Sequence, residues 1–508
     1  MLRVRVVMPK FNKRSKSELL RQWVQDCGPS DYTTDGKLIF CQVCNKQIAC
    51  EKKFQLSQHS TTNQHLAAKN KQSSLKQTLL TQQTPSSSNL KNEFCSDLCH
   101  ALIAANIPWN SLNNPTFRNF LDKYCKHTIP SESTLRKNYL EDCYRSTIKE
   151  IQNNLKDCLI WGVVDETTDS CGRHVANFLV GKLSEDEPGK PFLIACRVLE
   201  KTNNSTIARF VNDALRILWP EGGNEHKFRV LLSDAAAYML RAASSLKIFY
   251  PHLIHVTCIV HGLQRVAEVI REQFPEVNTL ISTTKKVFVK APVRVNAYRE
   301  KLPEHPLPPE PILTRWGTWV SAALFYADNF SAVKEVVCSL NPNDSLAIKS
   351  SQDTFKNETI QRDLAIIKAH FKIIPRAIQK LETCGLPLHA SISIFEEVKS
   401  ELECAPPQYE EILSVKLSSI LQRNPDFNIL CSVNKYLQGN SVELPEEIPP
   451  ELVSAYKYCP ITSVDVERSF SAYKLILSDK RHKFTPENLE KIMIVYCKSN
   501  YSPQDDKI

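Results

Sequence analysis

WGVVDETTDSCGRHVANFLVG (161–181) decides the fold class. Both ends are apolar and rich in β-branched residues, and a polar stretch containing Gly172 divides them, a pattern of short strands rather than of a helix. Working outward, CLIWGVVD (158–165), ANFLVGKL (176–183), PFLIACRVLE (191–200), FRVLLSD (228–234) and HVTCIV (255–260) each read as a strand. STIARFVNDALRIL (205–218) reads as a helix between the third and the fourth. Three strands, a helix and further strands is the order of an α/β layered domain.

The flanks are different. Between 93 and 156 the period is helical, with Phe94, Leu98, Leu102 and Ile103 and then Phe117, Phe120 and Leu121 at spacings of three or four. Pro108 and Pro130 break it, and Ser131 or Ser133 can cap the helix that follows. KQSSLKQTLLTQQTPSSSNLKN (71–92) has the Gln/Ser/Thr/Lys composition of a flexible linker. LPEHPLPPEP (302–311) is a Pro-rich connector, residues 316–440 read as mostly helical, and ELPEEIPPE (443–451) precedes a final block.

At 508 residues with 42% apolar and 23% charged side chains, the chain has the composition of several globular domains. It has 12 glycines and neither a G-x-G-x-x-G nor a G-x-x-x-x-G-K-[ST] motif, so no nucleotide cofactor is expected. No apolar run approaches the ~18 residues of a membrane span, so no membrane partner is expected. MLRVRVVMPKFNKRSK (1–16) lacks the apolar region of a secretory signal. The 18 cysteines are expected as free thiols or metal ligands in a reducing compartment. Residues 1–92 carry 15 Lys and Arg against 5 Asp and Glu, so most of the net charge of +9 sits on a basic head. Such a head on a near-neutral body is expected to meet a polyanion, double-stranded DNA, and KFNKRSK (10–16) points to the nucleus.

Cys41, Cys44, His59 and His65 form C-x2-C-x14-H-x5-H, close to the spacing of a structural Cys2His2 zinc site. A knuckle of two thiolates opposite two histidines on one helix would fill the four tetrahedral corners that Zn2+ prefers. Phe54 and Leu56 are expected to pack beneath that helix, and Lys46, Lys52 and Lys53 to face phosphates.

Three acids stand at the ends of apolar runs or in a helix opened by Ser463: Asp165 in VVDETTDS, Asp234 in LLSDAAAYM and Glu467 in SVDVERSFSAYK. Two aspartates on neighbouring strand ends and a helix-borne glutamate can hold two Mg2+ ions for phosphodiester chemistry. Taken singly, each acid reads first as a cap or turn residue, since Asp after a strand is common.

GKLIFCQVC with its two histidines, and CHALIAANIPWNSLNNPTFRNFLDKY with IPSESTLRKNYL, resemble the CGG triplet repeat-binding proteins in order and spacing. From about 159 to 500 the chain resembles the hAT-superfamily transposases with a DUF659-like start. The motifs are WGVVDETTDSCGRHVANFLVG, LLSDAAAYM, Cys258-Ile-Val-His261, Thr314-Arg315-Trp316 and PITSVDVERSFSAYKLILSDKRHKFTPENLEKIMIV (460–495). The resemblance implies an RNase H-like catalytic-type domain interrupted by an all-α insertion, with Asp165, Asp234 and Glu467 as catalytic metal holders. It also implies that Trp316 stacks on a flipped base, Arg315 meets a phosphate and His261 lies near the scissile strand. Plain packing explains C-x-x-H and Trp316 as well. Two departures alter groups around the acids: Glu166-Thr167-Thr168 replaces the family's Trp-Thr, and Ala235 replaces an Asn.

The expected organisation is a basic tail (1–35), a BED-like Cys2His2 finger (36–70), the linker (71–92), a helical DNA-binding or dimerisation segment (93–156), a first RNase H-like part (157–301), connector and helical insertion (302–455), and completion with a hAT C-terminal dimerisation block (456–508). Val464, Phe470, Leu475, Ile476, Leu489, Ile492, Ile494 and Val495 supply enough apolar surface to suggest a homodimer or higher oligomer through that block. The sequence thus supports a nuclear DNA-binding transcription regulator derived from a transposase, with an active Mg2+-dependent hAT transposase as the alternative.

Overall fold

The structure is a computed structural model that describes residues 15–44, 46–74, 86–312, 315–478, 481 and 483–501. The first part of the basic tail, most of KFNKRSK, residues 75–85 of the expected linker, and Thr314 lie outside the described residues. The chain divides into two compact units, residues 1–88 and 89–508.

The smaller unit opens with helix Lys16–Cys27. Ser15 caps it reciprocally: its Oγ accepts from Glu18 N (3.3 Å) and its N–H donates to Glu18 Oε2 (3.0 Å). Strands β1 (Tyr32–Thr34), β2 (Ile39–Cys41) and β3 (Lys46–Ile48) form an antiparallel meander. Leu20, Val24, Tyr32, Ile39, Ile48 and Leu56 form its small core, so the first helix, which lies ahead of residue 36, shares the core of the Cys/His segment. Leu56 is buried as expected, whereas Phe54 is 61% exposed. A further helix runs Asn63–Ser74 and the next begins at Ser86, so both ends of the expected linker are helical.

The larger unit is built on a five-stranded mixed sheet of β4 (Leu159–Thr168), β5 (His174–Leu183), β6 (Phe192–Leu199), β7 (Phe228–Ser233) and β8 (Ile254–Thr257). Their order is β6-β5-β4-β7-β8; β4, β5 and β6 pair antiparallel, and β7 and β8 continue from β4 in parallel. The first four apolar runs of the sequence fall on strands, whereas the fifth, HVTCIV, is a strand only to Thr257; Cys258 caps and Ile259 and Val260 open the next helix. Trp161 stands opposite Gly181, and a Cβ there would come within 2.4 Å of the indole, so only glycine leaves room for the tryptophan.

Helices Asn204–Leu218 and Ala237–Lys247 pack on each other, and the former on β6. After β8 the chain enters a long run of helices from Ile259–Gln273 to Phe427–Leu437 and returns through Val464–Ile476 and Pro486–Asn500. Val464–Ile476 packs on β4 and β5, and Pro486–Asn500 on β6 and on helix Leu140–Leu155. The molecule is therefore α/β, mostly helical with one mixed sheet in this unit.

That docking revises one expectation. Val464, Phe470, Ile476, Leu489, Ile492, Ile494 and Val495 are all buried within the chain, and of the eight only Leu475 is exposed. The sheet and the 140–155 helix absorb the apolar surface that had suggested a partner. No disulfide joins the 18 cysteines.

Candidate functional site

Cys41 closes β2 and Cys44 follows in the turn before β3. His59 lies on helix Lys53–Ser60, but His65 lies on the next helix, Asn63–Ser74. The expectation of one helix fails because positions six apart on an α-helix point about 240° apart. A break at Thr61–Thr62 solves this, with Thr62 Oγ1 donating to His59 O (2.8 Å) and accepting from His65 N (3.3 Å).

The four ligand atoms all lie within 4.8 Å of one another. His65 Nδ1 is 3.4 Å from both Cys41 Sγ and Cys44 Sγ, and His59 Nε2 is buried with no hydrogen-bond partner. Two thiols and two imidazoles so placed fit a tetrahedral cation. Asp31 Oδ2 stands 3.8 Å from His65 Nε2, on the far side of the ring from the thiols, and Lys69 holds that carboxyl below its usual range. A carboxylate behind a ligating histidine fixes the ring's tautomer and orientation. Tyr32 stacks on His65 with centroids 5.8 Å apart. Lys46 and Lys52 are exposed, whereas Lys53 is paired with Asp26 at 2.8 Å.

In the larger unit, Asp165 points from the last third of β4, Asp234 follows β7, His261 sits in the first turn of Ile259–Gln273 and Glu467 in that of Val464–Ile476. Asp165, His261 and Glu467 offer ligand atoms that all lie within 4.8 Å of one another, and Asp234 falls outside that set. Asp234 Oδ1 accepts from Ala236 N (3.1 Å), capping the turn into helix Ala237–Lys247. Burial pushes the Asp165 carboxyl well above its usual range; Glu467 and Asp234 push the same way, and His261 opposes them. Burial also raises Glu467, again against His261. Burial alone would lower His261, but Cys258 first, then Asp165 and Glu467, lift the ring to about 9. The cluster thus carries its own counter-charge.

The elements are stitched where the side chains meet. Ile259 N donates to Ile461 O (3.1 Å), Ser463 N to Cys258 Sγ (3.2 Å), and Ser463 Oγ lies 3.3 Å from His261 Nδ1. Buried Asn177, paired with Asp165 across β4 and β5, donates to Ser469 Oγ (2.7 Å) on the Glu467 helix. The Trp316 ring meets His261 edge-on, centroids 5.0 Å apart, while Arg315 is exposed. Gly317, at φ 66°, turns the chain after Trp316 into helix Thr318–Cys338, and its N–H donates to Gln264 Oε1 (2.7 Å).

Three family models match the chain: the CGGBP1 helical domain over 86–142, a domain of unknown function (DUF659) over 130–287, and the hAT family C-terminal dimerisation region over 417–498. Two of the three thus follow one another along the larger unit, and the last is the model of the hAT family's C-terminal region. The chain's CGGBP1-like segment has relatives of its own. The human CGG triplet repeat-binding protein 1 is 28% identical over 167 residues, 30% of this chain and 97% of that protein. The mouse protein of the same name is 29% identical over 155 residues, 28% of this chain and 91% of its own length.

Asp165, Asp234 and His261 fall in the DUF659 match and Glu467 in the dimerisation-region match. Sequence reading missed Tyr238, whose hydroxyl donates to Glu166 Oε1 (2.9 Å). It also missed Asp31 behind His65 and read Ser463 only as a helix opener. An acid followed at once by an aromatic, Asp31-Tyr32, ahead of Cys41 was the available signal.

Proposed function

We propose that this chain is a nuclear zinc-finger protein, derived from a hAT-type transposase, that binds specific double-stranded DNA and regulates transcription. The Cys41, Cys44, His59, His65 cluster carries this reading, because it sits in the most basic stretch of the sequence. Zn2+ held by the four would fix a BED-like finger whose exposed Lys46 and Lys52 contact phosphates. The name of the relatives supports CGG-repeat duplex as the first ligand to try. The dimerisation-region match supports a homodimer or higher oligomer.

Fluorescence anisotropy of the full-length protein with CGG-repeat and shuffled duplexes tests the reading. Affinity should fall steeply with salt, and Cys44→Ser or chelation should remove the preference between duplexes. Equal, weak affinity for both, at the ~10⁻⁴–10⁻⁶ M of non-specific binding, would refute it.

Asp165 and Glu467 in one cluster favour a second reading, an active transposase. The mixed sheet, with Asp165 on β4 and Asp234 just after the adjacent strand β7, supports an RNase H-like core across 157–301 and 456–508, interrupted by the insertion. Divalent cations there would activate an oxygen nucleophile and stabilise the leaving oxygen. Asp165, Asp234 and Glu467 would hold them, Arg315 would bind phosphate, and Trp316 would stack on a displaced base. Under this reading, Mg2+-dependent nicking of a DNA end disappears in Asp234→Ala while finger-mediated binding remains. Nicking that survives Asp234→Ala rules the triad out.

A further inference from the structure

Asp165, His261 and Glu467 come together from β4 and two separate helices, and each of the three elements is fixed independently of any ligand. The His261 helix begins against the loop that leads to Glu467, through Ile259 N to Ile461 O, Ser463 N to Cys258 Sγ, and the Ser463 hydroxyl beside Nδ1 of the ring. The Glu467 helix is pinned to the sheet by Asn177 and Ser469, next to Asp165. Trp316 closes one side of the imidazole. Asp234 lies outside this set, and its Oδ1 accepts from Ala236 N in the turn it caps.

The chemistry of such a set differs from that of three carboxylates. Mg2+ is a hard ion that prefers oxygen and water and keeps several waters when bound. An imidazole nitrogen with two carboxylate oxygens suits borderline first-row ions, and a His-and-carboxylate set with open positions is a recurrent form of such sites. Buried Asp165 and half-buried Glu467 bring two carboxylates together beside the imidazole, a concentration of negative charge that a dication would offset. We propose that Asp165, His261 and Glu467 form a mixed nitrogen and oxygen site for a first-row transition dication, in which His261 takes the place that the transposase resemblance gives to Asp234. The site is independent of DNA binding by the finger, and Asp234 is left to a second ion or to the substrate.

The test uses full-length protein with its finger loaded with Zn2+ and free metal then removed. Mn2+ is titrated in by electron paramagnetic resonance, and the bound ion is examined by electron spin echo modulation. One Mn2+ per chain with ¹⁴N modulation is expected, and excess Mg2+ should displace it poorly. His261→Gln should remove the nitrogen signal and weaken Mn2+ at least about tenfold. In Asp234→Asn the nitrogen signal should persist. Glu467→Gln provides a second weakened variant, with thermal melts of all three showing that the fold is intact. Mn2+ bound without nitrogen modulation, its loss in Asp234→Asn, or no binding at micromolar Mn2+ overturns the proposal. None of these readouts involves DNA, so failure here and failure of DNA binding are separate results.

Discussion

The Cys41, Cys44, His59, His65 cluster and the Asp165, His261, Glu467 cluster are equally tight, with all ligand atoms within 4.8 Å in each, yet they are sustained in opposite ways. The first spans 25 consecutive positions of a unit whose core is little more than Leu20, Val24, Tyr32, Ile39, Ile48 and Leu56. So small a core leaves little net stability after chain entropy, so the ligands must hold the fold. The second is drawn from positions 165, 261 and 467 and rests on a core that includes five strands. There the fold holds the ligands, and burial strains them electrostatically. A metal would build the first site, whereas the second is assembled by the fold itself.

The sharpest way to break this contrast is to remove the finger ligands. Cys41→Ser, or chelation of the wild type, should forfeit binding free energy on the order of 10 kcal/mol and unfold the smaller unit. Hydrogen exchange on the full chain should then show helix Lys16–Cys27 and β1–β3 unprotected while β4–β8 keep their protection. Unchanged protection of β1–β3 in chelator would mean that the small core suffices.

The larger unit should respond to pH instead. His261 lies at about 9 when folded, above its ordinary 6.5. A raised value means that the protonated ring stabilises the fold fully below pH 6.5, and that this contribution is lost as pH rises through about 9. Cys258 is the largest attractive partner, and its thiol, held below its ordinary 9.0, contributes in the opposite sense, whereas the raised Asp165 and Glu467 add to the fall. With no divalent ion beyond the finger's own, the thermal midpoint of the larger unit should fall across that window, and His261→Gln should flatten the profile. An equal slope in the variant would place the proton elsewhere.

The same contrast governs what the sequence disclosed. The cysteine and histidine spacing is local, so Cys41, Cys44, His59 and His65 could be read together. Their helices could not, because a break at Thr61–Thr62 depends on geometry rather than on propensity. FRVLLSD gave β7 at Phe228–Ser233 because a run buried on both faces is continuously apolar. The motif order brought Asp165 and Glu467 to one site by resemblance. His261 joined them through Ser463, 202 positions away, which no local pattern carries. Hydrophobicity showed that Ile492, Ile494 and Val495 would be buried but not against what. β6 and helix Leu140–Leu155 were as available as a second chain.

The smallest effect tests how the fold holds the Glu467 helix. Asp169, in the turn between β4 and β5, has a side chain that is 1% exposed. Its Oδ1 accepts from Cys171 N and Arg173 N, both at 2.9 Å, and its Oδ2 from Arg173 Nε (2.8 Å) and Tyr473 Oη (3.2 Å). Tyr473 lies two turns beyond Glu467 on the same helix, so this carboxylate ties the strand turn to the element that presents the glutamate. Burial alone would raise Asp169, but the bonds from Arg173 outweigh it and hold the carboxyl below its ordinary 3.8. A lowered acid contributes stability that is present above pH 3.8 and is lost as pH falls through the folded value. Asp169→Asn should therefore cost about 1–3 kcal/mol near neutral pH and much less in strong acid, because wild type loses the same bonds there. Mn2+ should still bind the variant with its nitrogen signal, since Ser469 and Ser463 keep the helix in place. If the substitution also abolishes that signal, Glu467 depends on this one tie, and the larger unit holds its site less firmly than its core implies.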